Sequence, residues 1–221
     1  MEKNVSVSVI NRLPRYYRYL GELLGKGIER ISSKELSERM GVTASQIRQD
    51  LNCFGGFGQQ GYGYNVEHLY NEIAAILGLN NRYKAILVGV GNIGRAFTQN
   101  TTFEKRGFTL IGIFDIDPEK IGTDVKGLKI SDYRTIKDFI ERENPVMAIL
   151  AVPRTVVHSV ADELAGYGIK AFLNFSYAEV SADDDVVVEN IHLGDSLMRL
   201  CYKISEKEKS EKYLCFARYT G

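Results

Sequence analysis

The sequence predicts an α/β protein in which a largely helical head precedes a parallel sheet layered with helices. Three observations predict it. Two helix-start signals follow one another within "ISSKELSERMGVTASQIRQDL", residues 31–51. From Lys84 onward, short apolar runs alternate with amphipathic helical stretches, the rhythm of successive β-α-β units. A glycine-rich turn, Gly89-Val90-Gly91-Asn92-Ile93-Gly94, stands where the first apolar run gives way to the first helical stretch. The expected boundaries are 1–78 for the head, 79–193 for the α/β domain, and 194–221 for a C-terminal helix and tail.

The 221 residues suffice for one large or two small domains. Lys plus Arg balance Asp plus Glu at 28 each, which excludes a simple polycation. The balance is uneven, because residues 1–66 carry nine basic and six acidic side chains. Cys53, Cys201 and Cys215 are odd in number and widely spaced. They suit neither a disulfide framework nor a metal site and are expected as small buried groups in a reducing compartment. No apolar run approaches the ~18 residues of a membrane span, and "MEKNVSVSVINR" lacks a signal-peptide core. The chain reads as cytoplasmic.

In the head, "LPRYYRYLGELLGKGI" reads as a helix with Pro14 in its first turn. Leu13, Tyr17, Leu20 and Leu24 are expected to face the core, with Arg12, Arg15 and Arg18 projecting away. Ser32 and Glu35 form a capping box, Ile31 and Leu36 a hydrophobic staple, and Gly41 a left-handed stop. Thr43 with Gln46, and Val42 with Ile47, repeat both signals. A helix near 33–40 therefore meets a second near 44–53 across a tight turn, the spacing of a helix-turn-helix. On the second helix, Ala44, Ile47, Leu51 and Phe54 share one face. Ser45, Arg48, Gln49 and Asn52 share the other, and all four can bond to base edges or phosphates.

"GGFGQQGYGYN" interleaves glycine with Phe57, Tyr62 and Tyr64 around a Gln59-Gln60-Gly61 tip. It leaves a helix, whereas a phosphate loop would leave a strand, and a linker would not carry so many rings. It is expected as a β-hairpin packed down by its rings, the wing of a winged helix. "NVEHLYNEIAAILG" follows as a helix capped by Asn65, with Val66, Leu69, Ile73, Ile76 and Leu77 inward and Gly78 at its end.

The glycine turn lies between a strand at Ala85–Val88 and a helix. Gly89 would make the turn, Gly91 admit a pyrophosphate, and Gly94 allow close packing of helix on strand. A second strand, "FTLIGIFDID", reaches Asp115, 21 residues after Gly94, where a carboxylate suits a ribose 2′-hydroxyl. Asp117 adds repulsion against a 2′-phosphate, so NAD(H) is expected and not NADP(H). "SDYRTIKDFIER" and "TVVHSVADELAGYG" are expected helices; "PVMAILAVP", "KAFLNF" and "DDDVVVENIHL" are expected strands. Strand ends single out Val152, Pro153 and Thr155, then Asn174 and Phe175, near the nicotinamide half. "GDSLMRLCYKISEKEKSEKYL" is an amphipathic helix whose stripe, Leu197, Leu200, Cys201 and Ile204, suits packing on a partner. The fold class is thus α/β with an all-α winged-helix head, a Rossmann-like parallel sheet and a C-terminal dimerisation helix.

Enzymatic equipment is sparse. Of His68, His158 and His192, only His192 stands near a strand end, and no hydrolase or Walker motif is present. No metal site is expected. A small dehydrogenase and a CoA-binding module, the latter suggested by "AVP" and "LNF", remain as alternatives.

"ISSKELSERMGVTASQIRQDLNCFGGFGQQGYGYNVEHL" together with "VGVGNIG" resembles the redox-sensing transcriptional repressors of the Rex type over nearly the whole chain. The resemblance implies a homodimer with a C-terminal helix exchanged between subunits, binding palindromic double-stranded DNA. NADH would close the dimer and release the DNA, and NAD+ would permit binding at genes of fermentation, respiration and NADH reoxidation. It implies that Gly89, Gly91, Asn92, Ile93, Gly94 and Asp115 carry the dinucleotide. Ser45, Gln46, Arg48 and Gln49 would then belong to the recognition helix, and Phe57, Gln59, Gln60, Gly61 and Tyr62 to the wing. His192 and Leu193 precede the exchanged helix. Two departures stand out. Gln59 and Gln60 replace basic residues common at the family's wing tip, which predicts a shallower salt dependence. His192 replaces an Asp that in relatives senses the nicotinamide or pairs with an N-terminal Arg such as Arg18.

Overall fold

The computed structural model describes residues 5–55, 57–59, 62–99, 106–181 and 185–219, without the side chains of Gln59 and of 210–219. The described residues fall into two compact units, those within Met1–Arg82 and Lys105–Gly107, and those within Tyr83–Glu104 and Phe108–Gly221.

The first unit is built on helices α1 (Val7–Ile10), α2 (Leu13–Gly25), α3 (Ser33–Met40), α4 (Ala44–Asn52) and α5 (Val66–Ile76). The buried stripe of α2 is Leu13, Tyr16, Leu20 and Leu23. Tyr17 and Leu24, expected inward, are only partly buried, because a period of 3.6 favours the i, i+3, i+7, i+10 row here. Ser32 caps α3 with the full reciprocal box to Glu35, and Gly41 closes it with φ +65°. The expected second box is only half formed. Thr43 Oγ1 accepts from the Gln46 amide at 3.1 Å, but the Gln46 side chain turns to Asp50 at 2.8 Å. Such a cap still stabilises a helix by about 1 kcal/mol. Ile31, Leu36, Ile47, Leu51, Leu69 and Ile73 are all buried in one core with α2. Full burial of each such side chain stabilises by about 1.5–3 kcal/mol.

The hairpin pairs β2 (Gly58–Gln59) with β3 (Gly63–Asn65), antiparallel. A further strand, β1 (Arg30–Ile31), pairs with β3, so the largely helical head carries a three-stranded sheet ordered β1-β3-β2. Gly63 has φ +71°, and a Cβ there would lie 2.6 Å from the Ile31 carbonyl oxygen, so this position requires glycine. Phe57 and Tyr64 pack on the core. Tyr62 does not: it is 70% exposed, with the Arg30 guanidinium 6.0 Å from its ring centre.

The second unit is a seven-stranded sheet ordered β10-β9-β8-β4-β5-β7-β6. Its strands are β4 (Tyr83–Val88), β5 (Phe108–Asp115), β6 (Asp124–Val125), β7 (Leu128–Asp132), β8 (Met147–Leu150), β9 (Ala171–Asn174) and β10 (Val187–Asn190). All neighbours run parallel except β6 with β7. Helices α6 (Asn92–Gln99), α7 (Ile136–Glu143) and α8 (Val157–Gly166) alternate with the strands, and α9 (Leu193–Tyr219) follows. Ser131 and Asp132, expected in a helix, close β7, and α7 starts only after a 3₁₀ turn at Tyr133–Thr135. Asp132 Oδ1 accepts the Arg134 amide and initiates that turn. Two apolar layers cover the two faces, one containing Ile86, Phe114, Leu150 and Leu164, the other Leu87, Ile113, Ile149 and Phe97. No described helix is long and apolar enough to cross a membrane.

Candidate DNA-reading face and dinucleotide crevice

Helix α4 is locked to α2 by one side chain. Asp50 is 0% exposed yet charged, on the buried face of α4. Arg12 donates to it bidentately, Nε at 2.6 Å and Nη2 at 2.8 Å, and Tyr16 Oη and Gln46 Nε2 each add a bond of 2.8 Å. Burial pushes the Asp50 pKa up, but the hydrogen bonds from Arg12, Gln46 and Tyr16 and the Arg12 charge outweigh it and hold the carboxyl below its ordinary value. Arg12 therefore points inward, contrary to expectation, and Arg15 donates to the Met40 carbonyl at 2.8 Å. Arg18 is exposed on α2.

With α4 so fixed, Ser45, Arg48, Gln49 and Asn52 are all exposed, as their spacing predicts. Arg48 is held by Ser33 Oγ at 2.9 Å, and Gln46 is committed to Asp50. Ala44 and Phe54, expected with the buried face, are half-buried. Of the wing residues, Phe57 is half-buried and Tyr62 exposed; Gln60, Gly61 and the Gln59 side chain lie outside the described residues.

In the second unit a crevice of about 860 Å³ opens at the C-terminal ends of the parallel strands, where such sheets bind ligands. Gly89, Val90, Gly91, Asn92, Ile93, Asp115, Val152, Pro153 and Phe175 line it as predicted. Gly94, Thr155 and Asn174 do not. Gly94 lies behind the loop, where a Cβ would stand 2.1 Å from the Gly89 carbonyl oxygen. Thr155 is exposed beside it. Asn174 is fully buried, donating to the Ala178 carbonyl and to Asn190 Oδ1, both at 2.7 Å, and accepting the Ser176 amide at 2.9 Å. It braces the loop that carries Phe175, Ser176 and Tyr177.

Asp115 is bound into the glycine loop. Its Oδ2 accepts the Val90 amide at 2.7 Å and its Oδ1 the Asp117 amide at 2.9 Å. Burial raises its pKa, but these two amides and Lys120 together bring it below the ordinary value. Lys120 lies 3.4 Å from Asp115 and 3.2 Å from Asp117, and all three line the crevice. The sequence reading missed Lys120, Tyr133, Arg154, Ser159, Glu163, Ser176 and Tyr177 in the lining.

His192 Nε2 lies 3.0 Å from Glu179 Oε1. Along α9, Leu193, Leu197, Leu200 and Ile204 are each at least half exposed, with Met198 and Tyr202. Cys201 is exposed and Cys53 half-buried, against the expectation that both are buried; the Cys215 side chain lies outside the described residues. Among the described residues no three His, Cys, Asp or Glu side chains gather as a metal site.

Residues 4–52 match the family described as "Putative DNA-binding protein N-terminus", and residues 80–178 match the CoA binding domain family. The redox-sensing transcriptional repressor Rex of Thermoanaerobacter sp. (strain X514) is 53% identical, covering 94% of this chain and 93% of that protein. The Rex of Clostridium perfringens (strain SM101 / Type A) is 48% identical over 94% and 98%. The crystal structure of RSP in complex with β-NAD+ and operator DNA matches with a TM-score of 0.86 and 53% identity, covering 95% of this chain and 96% of that one. RSP in complex with β-NADH matches at 0.87 and 50%, over 95% and 99%.

Proposed function

This chain belongs to the Rex family of redox-sensing transcriptional repressors, and on that premise we propose that it represses transcription as a cytoplasmic homodimer responsive to the NADH/NAD+ ratio. The free or NAD+-bound dimer holds a palindromic operator, and NADH binding releases it. The observation that carries this reading is the pairing, in one chain, of an exposed polar face on a rigidly fixed α4 with a glycine-loop crevice. A repressor 53% identical has been solved with both ligand types, NAD+ and operator DNA.

The crevice fits a dinucleotide. A Cβ on Gly91 would meet nothing within 4 Å, whereas one on Gly89 or Gly94 would strike backbone. The loop is therefore open only where a pyrophosphate would lie, against the N-terminus of α6. Asp115 and Asp117 stand where an adenosine ribose belongs, and with Lys120 between them the net charge disfavours a 2′-phosphate. Phe175, Ser176 and Tyr177 wall the opposite end, the nicotinamide half. When bound, the coenzyme supplies a ring whose formal charge changes by one on reduction. A half-enclosed wall feels one charge far more than bulk water does.

The exposed leucines and isoleucine of α9 share one stripe that suits burial against a second copy. Two heads must present their α4 helices about 34 Å apart to read successive major grooves. Shifting a closed-to-open population by ~10⁴ requires about 5.5 kcal/mol of differential affinity, which two cofactor sites can share. The test is a gel-shift titration on palindromic DNA. NADH releases the DNA and NAD+ does not, and Arg48→Ala weakens the shift at least tenfold while NADH still binds. Equal release by both coenzymes overturns the redox reading; an enzyme would instead oxidise NADH with a small carbonyl compound.

A further inference from the structure

We propose that the Tyr133–Glu163 pair reads the exocyclic amine of the adenine base, making the crevice selective for adenine dinucleotides over those carrying hypoxanthine or guanine. The proposal rests on the dinucleotide reading above and assigns a role to residues which that reading leaves unused.

The placement follows from strand order. The glycine loop ends β4, and Asp115 and Asp117 follow the neighbouring β5. A ribose held there sends its base onward toward the end of β7, where Tyr133 stands. Ile116, Val156 and Val160 line this side of the crevice as an apolar slot suited to a flat base. Its polar edge is made of Tyr133, Ser159 and Glu163.

Every hydroxyl proton at that edge is already committed. Tyr133 Oη donates to Glu163 Oε2 at 2.8 Å, and Tyr167 Oη donates to Glu163 Oε1 at 2.9 Å. Ser159 Oγ donates to the Val156 carbonyl at 2.9 Å. Burial, then the bond to Glu163, pushes the Tyr133 phenol far above its ordinary value, so its proton stays in place. What the edge offers a ligand is lone pairs alone: one or more on each Glu163 carboxylate oxygen and on the Tyr133 and Ser159 hydroxyls. Adenine carries an amino group with two donors at the corresponding position. Hypoxanthine and guanine carry a carbonyl oxygen there, which sets lone pair against lone pair and forms no hydrogen bond with Glu163.

The test compares NADH with its hypoxanthine analogue, deamino-NADH, by fluorescence titration. The chain has no tryptophan, so the coenzyme emission is read without indole background. The wild-type protein is expected to bind NADH about tenfold or more tightly than deamino-NADH. Glu163→Gln can turn its amide N–H toward a carbonyl, so the ratio falls toward unity through tighter binding of deamino-NADH. Tyr133→Phe keeps the ring and removes only the hydroxyl that orients Glu163, so it narrows the ratio part-way. Thermal unfolding of both variants checks that the fold is intact. Equal wild-type affinities overturn the proposal, as does a ratio unchanged in both variants. Failure of either coenzyme to bind overturns the dinucleotide reading itself, a different result from binding without discrimination.

Discussion

At the scale of the residue, Asp50 decides how α4 is held. It lies three positions from Ile47 on the buried side of α4, where an acid is out of pattern, and Arg12 answers it from the segment leading into α2. Removing one partner of a buried pair leaves a stranded charge, at a cost of about 3–5 kcal/mol. Arg12→Met should therefore destabilise the first unit by roughly 3 kcal/mol at neutral pH, measured as a shift of the urea midpoint. The pH dependence has a definite sign. The native Asp50 pKa lies below its unfolded value, so the contribution is complete above the unfolded value of about 3.9 and is lost as pH falls through the folded pKa. Without Arg12 less opposes burial and the folded pKa moves up. The difference between variant and wild type should then be largest near pH 7 and shrink on acidification toward pH 3. A difference independent of pH would show that the carboxylate charge is not what Arg12 stabilises.

At the scale of the element, legibility followed the range of the signal. The helix pair α3–α4 and the strand–loop–helix around Gly89 were readable because caps and glycines act within a few residues. Strand β1 was not, since two residues, Arg30 and Ile31, become a strand only by pairing with β3. The β6–β7 hairpin was missed although its turn carries a signal: Lys126 and Gly127 both have positive φ, 53° and 83°, in "DVKGLKIS". The two-residue turn looks less conspicuous with Lys than with Asn or Asp at its first position. Tyr133 and Glu163 meet across 30 residues, and no periodicity could announce that contact. Within the glycine loop, two substitutions of equal size should behave oppositely. Gly94→Ala drives a methyl onto the Gly89 carbonyl and should lower the thermal midpoint by several degrees and abolish NADH binding. Gly91→Ala enters open space, so the midpoint should hold while NADH affinity falls at least tenfold, because the methyl occupies the pyrophosphate's approach. Circular dichroism melts paired with NADH titration separate the two effects.

At the scale of the whole molecule, the question is what α9 is for. Within one chain, Leu197, Leu200 and Ile204 stay at least half exposed on the same helix, with Leu193 at its start. A stripe of this kind is costly in water unless something covers it, and a second copy offers the same stripe in return by symmetry. If that contact builds the dimer, it also sets operator affinity, because two linked heads bind a palindrome far more tightly than one, typically by 10²–10⁴. Replacing Leu197, Leu200 and Ile204 together by Glu should give monomers in sedimentation velocity and reduce operator affinity at least a hundredfold. NADH binding should persist, because every residue lining the crevice lies between Val88 and Tyr177, outside α9. A triple variant that still sediments as a dimer would move the interface elsewhere on the chain. One that loses NADH binding as well would mean that the second copy completes the crevice, so that cofactor sensing and assembly are a single event.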